Sequence, residues 1–194
     1  MSSRIKNAIT ESIQIKIEAA DTLPERIDEA GQIMVKSLIE GGKIIACGNG
    51  ASALNASYFA QILLNQLTRE RPSLPAIALE NHPLAITNNL SKQDLLDGYA
   101  KQVRAYGQPG DVLLVFTTSG QSSNIIKAIE TALSRDMYII AITASDGGSV
   151  AGLIGSNDVE IRIPAMSLPR VIEVQLLVTH TLCDFIDNSL FGEI

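Results

Sequence analysis

Aromatic residues are scarce in this chain of 194 residues, and tryptophan is absent. Phe, Tyr and Trp together make up 4% of the sequence, whereas hydrophobic residues of all kinds make up 46%. The core must therefore be built from aliphatic side chains, as is typical of tightly layered α/β domains. A chain of this length suits one domain, so residues 1–194 are interpreted as a single domain.

Cysteine, net positive charge and long apolar runs are also missing or rare. Cys47 and Cys183 are not spaced as a metal-binding pair, which favours reduced thiols in a cytoplasmic protein. The net charge of −6 argues against an extended nucleic-acid surface. No apolar run approaches the roughly 18 residues that a membrane helix needs, and residues 1–7 lack the apolar core of a signal peptide. We therefore expect a cytoplasmic protein with no direct contact to nucleic acid or membrane.

Short apolar runs alternate with helix-forming segments along most of the chain. The runs that predict buried strands are residues 43–47, 76–79, 112–116, 138–143 and 159–163. The segments that predict helices are residues 4–20, 25–40, 53–67, 95–106 and 170–190, one that begins at Asn124 and a brief one near 149. This alternation implies parallel strands joined by right-handed crossovers. We predict an α/β fold: a three-layer α/β/α sandwich with a five-stranded parallel sheet, flavodoxin-like in its winding.

The helices at the two ends of the chain predict an oligomer. Two helices within residues 1–40 precede the first strand, and both cannot bury an apolar face on the edge of a small sheet. The closing segment 170–190 has apolar residues on more than one face, which is typical of a helix buried on several sides. We expect at least one N-terminal helix, and the closing helix, to pack against another subunit.

Two of the predicted strands run into turns rich in small polar residues, and a helix follows each turn. The turns are residues 48–52 and 117–122. Since the carboxyl ends of parallel strands meet at one edge of the sheet, the two turns should lie together. Hydroxyl groups and the amino ends of two helices would form an anion site of phosphate size. The alternative is that these residues only cap the helices. The turn at 48–52 matches neither the dinucleotide-binding motif nor the Walker motif.

Four motifs stand in a fixed order along the chain: CGNGxS at 47–52, GDVLL at 110–114, TSGxS at 118–122 and TxxDGG at 143–148. In order and spacing they resemble the SIS (sugar isomerase) domain family, and within it the phosphoheptose isomerase-like branch. The resemblance implies a homotetramer that binds a sugar phosphate. On the matching positions, the predicted ligand-binding residues are Asn49, Ser52, Thr117, Ser119 and Ser122. Thr117 replaces the usual serine and keeps its hydroxyl.

The positions that carry catalysis in the isomerases hold other residues here. The resemblance places a His-x-x-x-Glu pair where this chain has Tyr58 and Ile62, and a glutamine where it has Ile172. Isoleucine can neither accept a proton nor bind a metal. His180 matches the family's histidine, but a lone histidine on an apolar helix is usually a hydrogen-bonded core or interface residue. We therefore expect no catalytic residue, no metal and no cofactor, and hence a protein that is not an enzyme.

The stretch 81–96 is polar and irregular, and it predicts a short helix with an exposed loop. The resemblance places an acidic ligand-binding residue in this region, for which Asn89 is the nearest match. His82 lies beside a proline in the same stretch and receives no role.

Several segments also resemble a non-catalytic branch of the family that associates with the bacterial replication initiator DnaA. They are residues 71–79, 99–105, 155–164 and 182–191. This resemblance implies a homotetrameric adaptor that binds DnaA and promotes its assembly at the chromosomal origin. Leu190 and Phe191 are the candidate partner-binding residues, and the alternative is that both pack within their own subunit or its oligomer. The competing functional hypothesis is a phosphoheptose isomerase-like enzyme or a sugar-phosphate sensor.

Overall fold

The computed structural model describes residues 1–80 and 92–192. Its helices in chain order are α1 (Ser2–Thr22), α2 (Pro24–Ile39), α3 (Ala51–Leu64), α4 (Lys92–Tyr106), α5 (Ser123–Leu133), α6 (Gly148–Ala151) and α7 (Leu168–Phe191). Its strands are β1 (Ile44–Gly48), β2 (Ala76–Ala78), β3 (Val112–Phe116), β4 (Tyr138–Ala144) and β5 (Val159–Ile163). In this part of the chain no helix is long and apolar enough to cross a membrane.

The strands form one parallel five-stranded sheet in the order β2-β1-β3-β4-β5. All residues of β1 and β3 are buried, because helices cover both faces of the sheet. One layer of the core lies under α1, α2, α3 and α7, and the other under α4 and α5. The predicted three-layer sandwich is therefore confirmed, and the strand order reverses between β1 and β3, where ligands bind in such sheets.

The N-terminal helix α1 lies on the outside of the subunit against α7. The hydroxyl of Ser12 donates to Oε2 of Glu173 at 2.6 Å, and Nη1 of Arg170 donates to the carbonyl of Ala8 at 2.9 Å. Ala19 and Leu23 anchor the end of the helix in the core. Four isoleucines spaced one helical turn apart stay exposed on α1: Ile5, Ile9, Ile13 and Ile17. We call these four side chains the isoleucine stripe.

Candidate functional site

The two polar turns lie side by side at the carboxyl edge of the sheet, as the sequence predicted. Gly48 at the end of β1 pairs in register with Phe116 at the end of β3, so both chains leave the sheet at neighbouring points. Asn49 and Asn124 then form a reciprocal amide pair, in which each Nδ2 donates to the other's Oδ1 at 2.9 Å. This amide pair ties the first turn to the amino end of α5.

A buried amide, Gln175 of α7, connects the two turns through hydrogen bonds. Its Oε1 accepts hydrogen bonds from the hydroxyl of Ser52 at 3.0 Å and from Nδ2 of Asn55 at 3.2 Å. Its Nε2 donates to the carbonyl of Thr117 at 3.4 Å. Gln175 is fully buried, so these bonds replace the hydrogen bonds to water that its amide would form if it were exposed. The closing helix therefore fixes the positions of both turns.

The hydroxyls of the second turn have different environments. Thr117 is buried, and its Oγ1 accepts the N–H of Gly120 at 3.1 Å. Ser119 is exposed, and its Oγ accepts the N–H of Gln121 at 3.3 Å. Ser122 stands at the N-cap of α5 and forms no capping bond with its side chain. The alternative that the serines of this turn serve only as helix caps therefore does not hold for Ser122, whose side chain makes no capping bond.

A third turn closes one side of these two. Gly120 has a φ of +62°, and a Cβ added to it would lie 1.9 Å from the carbonyl oxygen of Gly147. The carbonyl of Gly120 accepts the N–H of Val150 at 3.1 Å. Only glycine fits both the backbone conformation and this contact. Backbone therefore packs directly on backbone where the turns after β3 and β4 meet, and we call the three turns together the cradle.

The groups behind the first turn are held neutral. Tyr99 donates its phenol hydrogen to the carbonyl of Gly48. Burial raises the pKa of Tyr99 to about 12, and the adjacent Cys47 thiol adds to this rise. Burial alone raises the pKa of Cys47 to about 12. Near neutral pH Tyr99 is thus a permanent hydrogen-bond donor, and Cys47 is a protonated core thiol rather than a nucleophile.

An imidazole and a phenol meet further along the same two helices. Nε2 of His180 on α7 lies 3.3 Å from the hydroxyl of Tyr58 on α3. The ring centroids are 5.6 Å apart with an edge-to-face angle of 76°. Tyr58 is 41% exposed and His180 is half-buried, so the pair opens to solvent. The structure thus places His180, the one imidazole among the described residues, on the same two helices that carry Ser52 and Gln175.

Ile62 and Ile172, at the other two positions where the resemblance leads us to expect catalytic groups, are apolar and packed. Ile62 is 3% exposed and belongs to the core layer under α3 and α7. Ile172 is half-buried, and its carbonyl accepts a bond from Nδ2 of Asn55 at 3.4 Å. Neither side chain can take part in proton transfer. Among the described residues, no cluster of His, Cys, Asp or Glu is suited to hold a metal ion, and Asn89 and His82 lie outside those residues.

The predicted partner-binding residues sit at the end of α7. Leu190 is half-buried and packs against the core of its own subunit. The Arg69 guanidinium lies 5.9 Å from the ring centroid of Phe191 and donates to the Phe191 carbonyl at 3.1 Å. Both side chains therefore have contacts within the subunit. None of these contacts tests binding to DnaA, which stays a sequence prediction.

Three polar residues of the site were missed by sequence reasoning: Asn55, Asn124 and Gln175. Gln175 and Asn55 are uncharged polar residues inside otherwise apolar helical faces and are buried. A buried amide needs a partner, so this position in the helix was the signal that could have found them. Asn124 could not be found in this way, because its pairing with Asn49 depends on two distant turns.

Close relatives of this chain are named as enzymes. The phosphoheptose isomerase of Shewanella loihica is 53% identical over 196 residues, covering all of this chain and 98% of the relative. That of Alteromonas mediterranea is 52% identical over 191 residues, covering 98% of this chain and 96% of the relative. Among solved structures, the phosphoheptose isomerase of Francisella tularensis superposes with a TM-score of 0.91 at 41% identity, covering 96% of this chain and 97% of that one.

These comparisons contradict the expectation of a non-catalytic adaptor for DnaA. Relatives that align over the whole chain at more than half identity carry the name of an isomerase, which favours an enzyme. Neither a role in DNA replication nor a specific closeness to the DnaA-associating branch is shown. The error came from treating Tyr58, Ile62 and Ile172 as proof that the site has lost its chemistry. The loss of one base does not exclude another nearby, and His180 provides an imidazole on the helix that also carries Gln175.

The match to a family agrees with the fold and the site. The family model of the SIS domain matches residues 9–144, which run from α1 to the end of β4 and include both polar turns. Because this match spans more than half of the chain, and the relatives align over its whole length, the protein belongs to the SIS domain family.

Proposed function

We propose that this protein is an aldose–ketose isomerase that acts on a sugar phosphate, with phosphorylated heptoses as the substrate class. The observation that carries the proposal is the position of His180, on the same pair of helices that holds the cradle. The names of the full-length relatives support it. The expected charge on the sugar fits the cradle, and imidazole is the side chain best suited to proton transfer near neutral pH.

The cradle binds the phosphate through hydroxyls and backbone. The amino ends of α3 and α5 point toward the junction of the two turns and provide N–H donors and positive helix ends. The predicted residues Asn49, Ser52, Thr117, Ser119 and Ser122 line this junction or support it. The attraction is local, because the chain as a whole carries a net charge of −6.

The isomerase proposal is tested by following hydrogen exchange during turnover. Purified protein with a phosphorylated ketoheptose in D2O should remove a proton from the first carbon and produce the aldose with deuterium on its second carbon, to which the hydrogen is returned. His180→Gln should lower kcat by about 10²–10⁴-fold, the usual contribution of a general base, while calorimetry shows unchanged sugar-phosphate affinity. Wild-type protein that binds the sugar phosphate but neither converts it nor exchanges its hydrogen would contradict the proposal.

A charge at the amide pair should weaken ligand binding. Asn124→Asp keeps the shape of the side chain but places a carboxylate beside the proposed phosphate site. Repulsion on the order of 1–2 kcal/mol would raise the Kd of a sugar phosphate by about 5- to 30-fold. Asn157→Asp is the matched control, since it adds the same charge at an exposed position beside the start of β5, at the opposite edge of the sheet. Equal effects of the two variants on calorimetric Kd would argue against phosphate binding in the cradle.

We also propose that the protein works as a homo-oligomer. The resemblance to the SIS domain family implies that this oligomer is a tetramer. The isoleucine stripe on α1 supports this proposal, and so do Leu176 and Leu177, which are 37% and 40% exposed on α7. The buried free cysteines agree with a cytoplasmic location.

A further inference from the structure

The His180–Tyr58 pair has two chemical groups, and the isomerase proposal so far uses only one. Tyr58 stands where the resemblance to the isomerases places a histidine. Its hydroxyl lies 3.3 Å from Nε2 of His180, and the rings meet edge to face. Two polar groups this close can contact two neighbouring atoms of one sugar substrate.

The pair is separated from the cradle by a distance that suits a sugar phosphate. Tyr58 follows Ser52 by six residues on α3, which corresponds to a rise of about 9 Å along the helix. On α7, His180 follows Gln175 by five residues, a rise of about 7.5 Å. Since Ser52 bonds Gln175 and Tyr58 contacts His180, the same two helices run alongside each other over this length. Along these two helices the pair therefore lies about one and a half turns from the Ser52–Gln175 contact, an axial distance that an extended phosphorylated sugar can span.

Isomerisation needs a hydrogen-bond donor to the carbonyl oxygen as well as a base that removes the carbon-bound proton. When the carbon next to the carbonyl loses its proton, negative charge develops on the carbonyl oxygen. A neutral phenol is a hydrogen-bond donor, whereas isoleucine at positions 62 and 172 offers none. Among the described residues, Tyr58 is the hydroxyl donor that lies beside Nε2 of His180.

We propose that the Tyr58 hydroxyl donates to the substrate oxygen during isomerisation while His180 moves the carbon-bound proton. This inference rests on the proposed isomerase function. In the aldose-to-ketose direction, Nε2 of His180 takes the proton from the second carbon, and the C–H electron pair forms the double bond to the first carbon. The carbonyl electrons move onto the first oxygen, which takes the proton of Tyr58. The phenolate then removes the proton from the second oxygen, which becomes the new carbonyl. His180 returns its proton to the first carbon, so no oxidant or reductant is consumed.

Removing the phenol oxygen should lower turnover without weakening ground-state binding. Tyr58→Phe keeps the ring, and its surface position makes a loss of folding unexpected; a thermal melt checks this. We expect kcat to fall by about 10²–10³-fold, the usual cost of one lost oxyanion donor, with KM changed less than about threefold. The matched control is Tyr106→Phe, which removes a hydroxyl from another exposed tyrosine, on α4, and should keep the wild-type kcat.

A second measurement separates donation to substrate from support of His180. A sugar-phosphate hydroxamate carries an oxygen that resembles that of the enediolate, so it should bind wild-type protein more tightly than the substrate does. Tyr58→Phe should lose this advantage, while its affinity for inorganic phosphate stays unchanged. A lower kcat with wild-type hydroxamate affinity would overturn donation by Tyr58, because the tyrosine would then act only through His180. Wild-type kcat in Tyr58→Phe would overturn the inference alone, whereas a wild-type protein without turnover would overturn the isomerase proposal with it.

Discussion

Replacing Gly120 with alanine is expected to destabilise the protein and to abolish binding in the cradle. Gly120 has a φ of +62°, and a Cβ there would lie 1.9 Å from the carbonyl oxygen of Gly147 and 2.6 Å from its carbon. The left-handed conformation costs about 1–3 kcal/mol for alanine, and the forced separation of two packed turns costs about 1–3 kcal/mol more. Chemical denaturation should therefore show a loss of about 2–6 kcal/mol in the free energy of unfolding.

The control for this prediction is Gly110→Ala, which separates backbone conformation from collision. Gly110 has a φ of +84°, but nothing lies within 4 Å of the Cβ that it would gain. This variant should lose only the conformational part, about 1–3 kcal/mol, and keep wild-type affinity for a sugar phosphate. If Gly120→Ala loses no more stability than Gly110→Ala and still binds ligand, the contact between the turns does not shape the cradle.

The sheet could be predicted from the sequence because each of its strands is marked by a short local pattern of residues. Residues 112–116 and 159–163 form β3 and β5 with the predicted bounds. Each is a short apolar or alternating run flanked by residues that end strands, so the chain itself marks the limits. The helix ends were less well predicted: the helix expected at 53–67 is α3, Ala51–Leu64. Helix termini depend on capping contacts and on tertiary packing, which short-range patterns record only weakly.

The position of the two turns could also be predicted, since parallel strands order their carboxyl ends at one edge. The side-chain contacts that join the two turns could not be predicted. Gln175 is 58 residues from Thr117 and 123 from Ser52, and its bonds to both form only when α7 packs across the sheet. The contact of His180 with Tyr58 spans 122 residues and has the same origin. A residue such as His180 therefore cannot be assigned to core or site from its own helix alone.

The wrong functional prediction has a related physical cause. Positions 58, 62 and 172 lack the side chains that the resemblance to the isomerases places there. Catalysis, however, depends on whether suitable groups meet in space. Although Ile62 is packed into the core, the same pair of helices carries one imidazole and one phenol in contact with each other. A different pair of groups can thus occupy the place of the expected one.

Two lysines in the isoleucine stripe are expected to separate the subunits. Ile5, Ile9, Ile13 and Ile17 are 58%, 57%, 54% and 52% exposed in the single subunit. Burying each of these half-exposed side chains between subunits would contribute on the order of 1 kcal/mol. In a symmetric interface every stripe meets a second copy of itself or of a neighbouring helix. Ile9→Lys with Ile13→Lys would therefore lose the apolar contact and force two charged side chains into the interface, and sedimentation should show a species of lower mass.

The fold of the subunit should survive these changes, because both side chains point away from the core and α1 keeps its bond from Ser12 to Glu173. Far-UV circular dichroism should match the wild type. The matched control is Asn7→Lys with Gln14→Lys, which adds the same charge to the same helix at exposed positions outside the stripe. A wild-type chain that sediments as a monomer, or a stripe variant that keeps the wild-type mass, would show that α1 is not an interface. If the stripe variant dissociates and also loses turnover while still binding sugar phosphate, then the proposed catalytic pair on α3 and α7 needs a neighbouring subunit to complete the site.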